Sequence, residues 1–231
     1  MTPRGLARIM ADAFFPPRCL LCDEVLGFVS ECPACRGEMA RLSRAHIPEV
    51  NAVPLALDAA FSAFWYEGGV KEAVHRMKFG DRPDIARVFA DAMVKALPEY
   101  GLADGVVPVP SSGKRIAQRG YDVPRLLAGY MARHTGLALC TGLLKKVRDT
   151  VPQTELSGAE RRKNLKGAFE VTAQKEVFGK KFLLVDDVFT TGATLAECAK
   201  TLKAAGAERV YAVTAAVTRF APSETQKPGP L

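Results

Sequence analysis

The sequence predicts an α/β protein: a mostly parallel central sheet with flanking helices, preceded by a small cysteine-rich module. Three observations predict it. Short apolar runs that read as buried strands ("DGVVPVP", "FLLV", "RVYAVTAAV") are separated by stretches of helical periodicity, the pattern of strand–helix–strand units. One of those runs, residues 182 to 185, ends in Asp186-Asp187 and a threonine–glycine loop, where a strand should meet a helix. Four of the six cysteines are bunched as C-x2-C-x9-C-x2-C at Cys19, Cys22, Cys32 and Cys35.

Taken in order, residues 4 to 15 read as a short amphipathic helix that stops at Pro16-Pro17. The paired cysteine knuckles follow, and residues 1–45 are expected to form one N-terminal unit. Residues 46–60 are proline-punctuated and read as a linker. The expected larger domain, 61–220, opens with "AFSAFWYEGG", which alternates like a strand and ends in a glycine turn. Helical patterns cover about 70 to 79 and 84 to 97, and "DGVVPVP" is a short buried strand closed by prolines. "SSGKRIAQRG" reads as a loop with three cations and no acidic residue. A helix is predicted over 123 to 135, a strand over 137 to 144, and no periodicity across "KKVRDTVPQTELSG". Ser157 with Glu160 forms a capping-box signature for a helix through about Gly167. The strand at 182 to 185, a helix at 193 to 205 and the strand "RVYAVTAAV" complete the domain. The tail 221–231 reads as disordered.

Composition narrows the classes. The chain has 231 residues, 48% hydrophobic and 25% charged, enough apolar side chains for a real core. A formal charge of +7 favours anionic partners, either nucleic acid or phosphorylated small molecules. No apolar run approaches the roughly 18 residues of a membrane span, so no membrane insertion is expected. The N-terminus lacks a long apolar stretch and carries Asp12, so the expected location is cytoplasmic. In that compartment disulfides are disfavoured, and two C-x2-C knuckles predict a closed four-thiolate Zn²⁺ site at Cys19, Cys22, Cys32 and Cys35. Such an ion is structural, and supplies the folding energy that so short a segment lacks. Leu195, Cys198, Ala199 and Leu202 recur at helical spacing, which makes Cys198 a core residue.

The acidic pair carries the chemistry. A buried strand delivers Asp186 and Asp187 to its mouth, and a glycine-containing loop then leads into a helix N-terminus. Backbone N–H groups there, with the hydroxyls of Thr190, Thr191 and Thr194, form a cradle for a phosphate. Gly192 permits close approach or a positive φ. Carboxylates cannot bind that phosphate, but they accept hydrogen bonds from sugar hydroxyls or assist a divalent cation. A ribose 5-phosphate fits both halves. No G-x4-G-K-[ST] or G-x-G-x-x-G loop exists in the chain to favour another nucleotide site. Plain helix capping does not call for two carboxylates with three threonines.

At these residues "LLVDDVFTTGAT" resembles the phosphoribosyl-pyrophosphate signature of type I phosphoribosyltransferases. The cysteine knuckles, "KFGD", "VPVPSSGKRIAQRGYD", "PQTELSGAERRKNLKGAF" and the signature loop occur in the order of the ComF family of competence-associated phosphoribosyltransferase-like proteins. The resemblance covers residues 14 to 219 and implies the type I phosphoribosyltransferase fold. It further implies that Asp186 and Asp187 hold the ribose hydroxyls and the metal-bound substrate, and so serve as the catalytic carboxylates. Thr190, Thr191, Gly192, Ala193 and Thr194 would wrap the 5-phosphate, and Ser111, Ser112 and Lys114, helped by Arg115 and Arg119, would meet pyrophosphate. Lys145 to Gln153 would correspond to a mobile loop that closes over the reacting centre, and Arg161 and Asn164 match a family motif without an assigned chemistry. One departure stands out: where the family commonly continues Arg-Gly with Phe-Asn-Gln, this chain has Tyr121, Asp122 and Val123, so the family's polar contacts at that corner are not carried over.

Two functions of different class are expected. One is a phosphoribosyltransferase that binds phosphoribosyl pyrophosphate with Mg²⁺ and transfers the pentosyl group to an unassigned acceptor, in uptake or processing of transforming DNA alongside DNA-uptake machinery proteins. The other is a non-catalytic protein that reuses the pocket to bind single-stranded DNA. Residues 141 to 181 hold ten Lys or Arg against five Asp or Glu, a balance suited to a phosphate backbone, but only Phe169 and Phe178 offer rings for base stacking. His46, His75 and His134 are read as structural or exposed.

Overall fold

A computed structural model describes residues 18–19, 21–26, 32–43, 56–98, 103–148 and 165–219. The expected N-terminal helix, most of the linker, the Ser157–Glu160 capping box, Arg161, Asn164 and the tail lie outside the described residues, as does His46.

After the cysteine knuckles begin, helix α1 (Pro33–Leu42) starts at a proline, which suits the first turn because its missing N–H has no partner to lose there. Then follow β1 (Ala59–Trp65), α2 (Gly68–Phe79), α3 (Ile85–Ala96), β2 (Gly105–Pro108), α4 (Gly113–Arg119), α5 (Val123–Thr135), β3 (Ala138–Leu139), β4 (Leu144–Lys146), β5 (Phe169–Val171), β6 (Lys181–Phe189), α6 (Ala193–Ala204) and β7 (Arg209–Val217). Five strands make one sheet in the order β1-β7-β6-β2-β3, every neighbouring pair parallel. β4 and β5 pair antiparallel as a separate ribbon.

The central strands are apolar nearly throughout because both faces of the sheet are covered. On one face Leu183, Val185, Val213 and Phe61 pack against α2, α3 and α5 through Val74, Met77, Phe89, Met93, Leu127 and Met131. On the other, Phe182, Leu184, Val210 and Ala212 pack against Leu195, Cys198, Ala199 and Leu202 of α6 and against Phe169 of the ribbon. The alternation of neighbours along β6 is the period of two that a strand imposes. Cys198 is fully buried, as its helical spacing predicts.

The cysteine segment is part of the first core. Cys19, Leu21, Cys35 and Leu42 are buried in the same cluster as Phe64, Val70 and Ala73. Ser43, just past α1, also bridges to Phe64 of β1.

Three local expectations need correction. Residues 113–119, read as a loop, form α4; none of its residues is buried, so it lacks the apolar stripe that marks a helix in a sequence. It ends at Gly120, whose φ of 78° gives the left-handed cap that stops a helix. The strand expected to end at Val185 continues to Phe189, carried through the acidic pair by its parallel partner β7. Finally, Lys145 and Lys146, placed in a mobile loop, belong to β4, while residues 149–153 lie outside the described residues.

Strand order creates the site. From β6 the chain runs through α6 to β7 on one side, and from β2 it runs through α4 and α5 to β3 on the other. Adjacent strands whose outgoing connections diverge leave a crevice between them at their carboxyl ends, the usual ligand position of an open parallel sheet.

Candidate functional site

The crevice at that switch point is a cleft of about 260 Å³. The loop after β2 contributes Ser111 and Ser112, and α4 contributes Arg115 and Arg119. From β6 and the loop after it come Asp186, Asp187, Thr190, Gly192, Ala193 and Thr194. Two segments far apart in the sequence thus meet in one cavity. Thr191 is half-buried beside it and Lys114 points to solvent; neither lines the cleft.

Gly192 is the N-cap of α6, with φ 72° and ψ 0°. A Cβ there would lie 2.7 Å from the Phe189 ring, and Phe189 is buried, so both conformation and space require glycine. The turn exposes the first N–H groups of α6, which have no intrahelical acceptor and carry the positive end of the helix dipole. The Ala193 N–H makes a long contact of 3.5 Å with Thr191 Oγ1. The arrangement suits an anion such as a phosphate.

The carboxylates are asymmetric. Asp187 is paired at 2.7 Å, through Oδ1, with Lys78 Nζ from the last turn of α2. Asp186 accepts a hydrogen bond of 2.8 Å from the Asp187 backbone N–H. Asp186 lines the cleft and is half-buried. Desolvation, with the neighbouring charge of Asp187, pushes it up to about 7; the N–H bond and Lys78 oppose that rise. Two acceptors and one cation at a strand end can take sugar hydroxyls or a divalent ion.

At the departure corner, Ser111 Oγ donates to Asp122 Oδ1 at 2.7 Å, and burial pushes the Asp122 carboxyl up despite that bond. The Tyr121 hydroxyl donates to the Met77 carbonyl at 2.8 Å, so the corner fastens the end of α2 to the start of α5. Lys78, which pairs with Asp187, and Asp122, which accepts from Ser111, are residues that the sequence reading left without a role. The only signals were the "KFGD" string and the departure itself. Lys146, Leu165 and Phe169 close the cleft from the ribbon side. That segment is tied down by Gly167 N–H to Glu197 Oε1 at 2.6 Å and by Arg148 to the Lys166 carbonyl at 2.8 Å.

A second cluster lies at the N-terminus. The four sulfurs of Cys19, Cys22, Cys32 and Cys35 all fall within 4.8 Å of one another, with Cys22 and Cys32 3.8 Å apart. A tetrahedral ion with metal–sulfur bonds of about 2.3 Å needs sulfurs roughly 3.8 Å apart. All four are free thiols. Burial and the neighbouring thiols push Cys35 up, whereas at Cys19 the Cys22 and Leu21 backbone N–H groups outweigh burial and pull it down. A bound cation would resolve that conflict by holding all four as thiolates. The donor set fits a closed four-coordinate ion.

His75 is exposed and rests on Phe79, and His134 Nδ1 lies 3.1 Å from Asp91; both are away from the cleft. Among the described residues, no helix is long and apolar enough to cross a membrane.

The sheet order, the glycine-capped α6 and the acidic strand end define a type I phosphoribosyltransferase fold, and residues 125–228 match the model of the phosphoribosyl transferase domain. That domain, the four-cysteine cluster near the N-terminus and the relatives the chain is similar to together support a ComF family protein. It is 33% identical over 144 residues to Competence protein F of Haemophilus influenzae, a match covering 59% of this chain and 63% of the relative, under two thirds of that protein's length. Competence protein ComFC of Streptococcus pneumoniae is 26% identical over 221 residues, 84% of this chain and 96% of that one. Among solved structures, the glutamine phosphoribosylpyrophosphate amidotransferase from B. subtilis, complexed with ADP and GMP, superposes with a TM-score of 0.42 at 25% identity, covering 62% of this chain and 30% of that one.

Proposed function

We propose that this chain binds phosphoribosyl pyrophosphate together with a divalent cation, Mg²⁺ by its chemistry, in the cleft between β2 and β6. One observation carries the reading: an acidic strand end and a glycine-capped helix N-terminus lie in one cleft with Ser111 and Ser112 of the loop after β2 and Arg115 and Arg119 of α4. In this reading the α6 N-terminus with Thr190, Thr191, Gly192, Ala193 and Thr194 takes the 5-phosphate. Asp186 and Asp187 take the ribose 2- and 3-hydroxyls, directly or through the cation. Ser111, Ser112, Arg115 and Arg119 take the pyrophosphate; the exposed position of Lys114 assigns it at most an outer role.

If the protein turns over, an acceptor displaces pyrophosphate at the anomeric carbon: one C–N or C–O bond forms as the C–O bond to pyrophosphate breaks. Charge grows on the leaving group, where the arginines lower the barrier. A bound Mg²⁺ would add charge neutralisation on the diphosphate. The names of the relatives support a place for this activity in the uptake or processing of transforming DNA. The Cys19, Cys22, Cys32 and Cys35 cluster is read as a structural Zn²⁺ site.

A second reading, single-stranded DNA binding, is favoured by the basic stretch 141–181, in which Lys145 and Arg148 are exposed on and just beyond β4. Calorimetry with phosphoribosyl pyrophosphate and Mg²⁺, followed by a nucleobase screen for pyrophosphate release, tests the first reading. Salt-dependent binding of a single-stranded oligonucleotide, with no heat from the sugar phosphate, would favour the second.

A further inference from the structure

We propose that Lys78 is a pyrophosphate-binding residue of the cleft, one that exchanges Asp187 for diphosphate oxygens when the ligand enters. The inference rests on the phosphoribosyl reading above and adds a residue from a helix outside both signature loops. The Lys78 and Asp187 side chains are 21% and 13% exposed, and their charged atoms are 2.7 Å apart. A sugar hydroxyl or cation that uses Asp187 must therefore share this carboxylate with the ammonium or displace it. A displaced, largely desolvated ammonium needs another anion within reach.

The lining of the cleft supplies the place. Among the described residues, the lining brings Lys78, Arg115 and Arg119 together with Asp186 and Asp187, a balance that suits a ligand of high negative charge. Lys78 lies on the same side as α4. Phe79, the next residue, carries the Arg119 guanidinium 4.7 Å above its ring, and Tyr121, just past α4, is bonded to Met77. A diphosphate held by Ser111, Ser112 and Arg119 would then lie within the sweep of a flexible four-carbon stem.

Lys78 is not needed to hold α2 in place. That helix is fixed by the burial of Val70, Ala73, Val74 and Met77, by Glu38 at its N-terminus and by the Tyr121 hydroxyl at its C-terminal end. A lysine that merely balanced the acidic pair would affect stability and all ligands alike. A pyrophosphate ligand would instead affect only compounds that carry the diphosphate.

The test is calorimetry of Lys78→Gln and Lys78→Arg against phosphoribosyl pyrophosphate, ribose 5-phosphate and inorganic pyrophosphate, each with Mg²⁺, alongside thermal melts. Loss of a charge-assisted bond predicts that Lys78→Gln binds phosphoribosyl pyrophosphate about tenfold or more weakly and loses pyrophosphate similarly. Ribose 5-phosphate should bind as well as to the parent, or better, because Asp187 is freed. Lys78→Arg should keep most of the affinity. Unchanged phosphoribosyl pyrophosphate binding by Lys78→Gln, or an equal loss of all three compounds, overturns the proposal while leaving the phosphoribosyl reading intact. If the parent protein itself binds none of the three, both fall together.

Discussion

Glu38, on the helix that carries Cys35, accepts a hydrogen bond of 2.9 Å from the backbone N–H of Gly69 in the first turn of α2. At the other end of α2, Arg82 pairs with Asp23 in the first cysteine knuckle and with Asp84 at 3.0 Å. The cysteine segment therefore grips both ends of the helix that delivers Lys78 to the cleft. Glu38→Ala removes a charged acceptor from a helix N-terminus, a loss of about 1 kcal/mol. The expected result is a melting temperature lower by about 2–4 °C, with a small loss of phosphoribosyl pyrophosphate affinity. Glu38→Gln, which keeps an acceptor oxygen, should recover most of both. A melt unchanged in Glu38→Ala would show that the contact does not hold α2.

The same linkage sets what metal removal should do. Elemental analysis is expected to find about one Zn²⁺ per chain, released by chelation or by modification of Cys19, Cys22, Cys32 or Cys35. Because Cys19, Leu21, Cys35 and Leu42 share a core with β1 and α2, the metal-free protein should melt in one transition at lower temperature. Its phosphoribosyl pyrophosphate affinity should fall as well. Two separate transitions, with the ligand still bound at full strength, would show that the cysteine segment is an independent appendage.

Much of this architecture was legible because its signals are local. The helix over 123–135 and the strand over 209–217 coincide with the expected elements, since each carries an uninterrupted apolar period bounded by a cap or a turn. What was not legible depends on distant partners. α4 has no buried face, so nothing in its own residues marks it. β6 was read short because two carboxylates interrupt the apolar run; what extends it is the register of Asp186 with Thr214 and of Val188 with Ala216, far along the chain. The cleft residues of the two loops were identifiable by residue type, but the Lys78–Asp187 pair joins a helix end to a strand more than a hundred positions later. No local pattern announces such a pair.

Gly192 offers a sharp substitution. Alanine there must adopt φ 72° and place a methyl 2.7 Å from the buried Phe189 ring. Neither can relax cheaply, since the ring is packed in the second core. A loss of about 1–3 kcal/mol of stability is expected, with ribose 5-phosphate affinity reduced more than pyrophosphate affinity because the α6 N-terminus moves. Thermal melts and calorimetry check both. Gly192→Ala with parental ribose 5-phosphate binding would separate the phosphate site from this turn.

The Asp186 carboxyl should make stability and ligand binding respond to pH in opposite senses. Desolvation and the charge of Asp187 raise it from 3.8 to about 7 in the folded protein, with Lys78 and the Asp187 N–H opposing and Asp122 adding to the rise. The folded state therefore holds a proton that the unfolded state gives up near 3.8. The resulting stabilisation is present below that value and fades as pH rises toward about 7. A ribose hydroxyl or a cation needs the ionised form, so affinity for phosphoribosyl pyrophosphate with Mg²⁺ should climb through the same window, by up to about tenfold per pH unit. Asp186→Asn separates the two effects. The amide oxygen can still accept the Asp187 N–H bond of 2.8 Å, while no charge has to be buried. At about pH 8 this variant should be at least as stable as the parent, yet bind the ligand roughly tenfold more weakly, and both pH dependences should flatten. Paired melts and titrations on the two proteins at several pH values decide it. If Asp186→Asn is less stable at high pH and still binds the ligand fully, the carboxylate serves the fold and not the sugar.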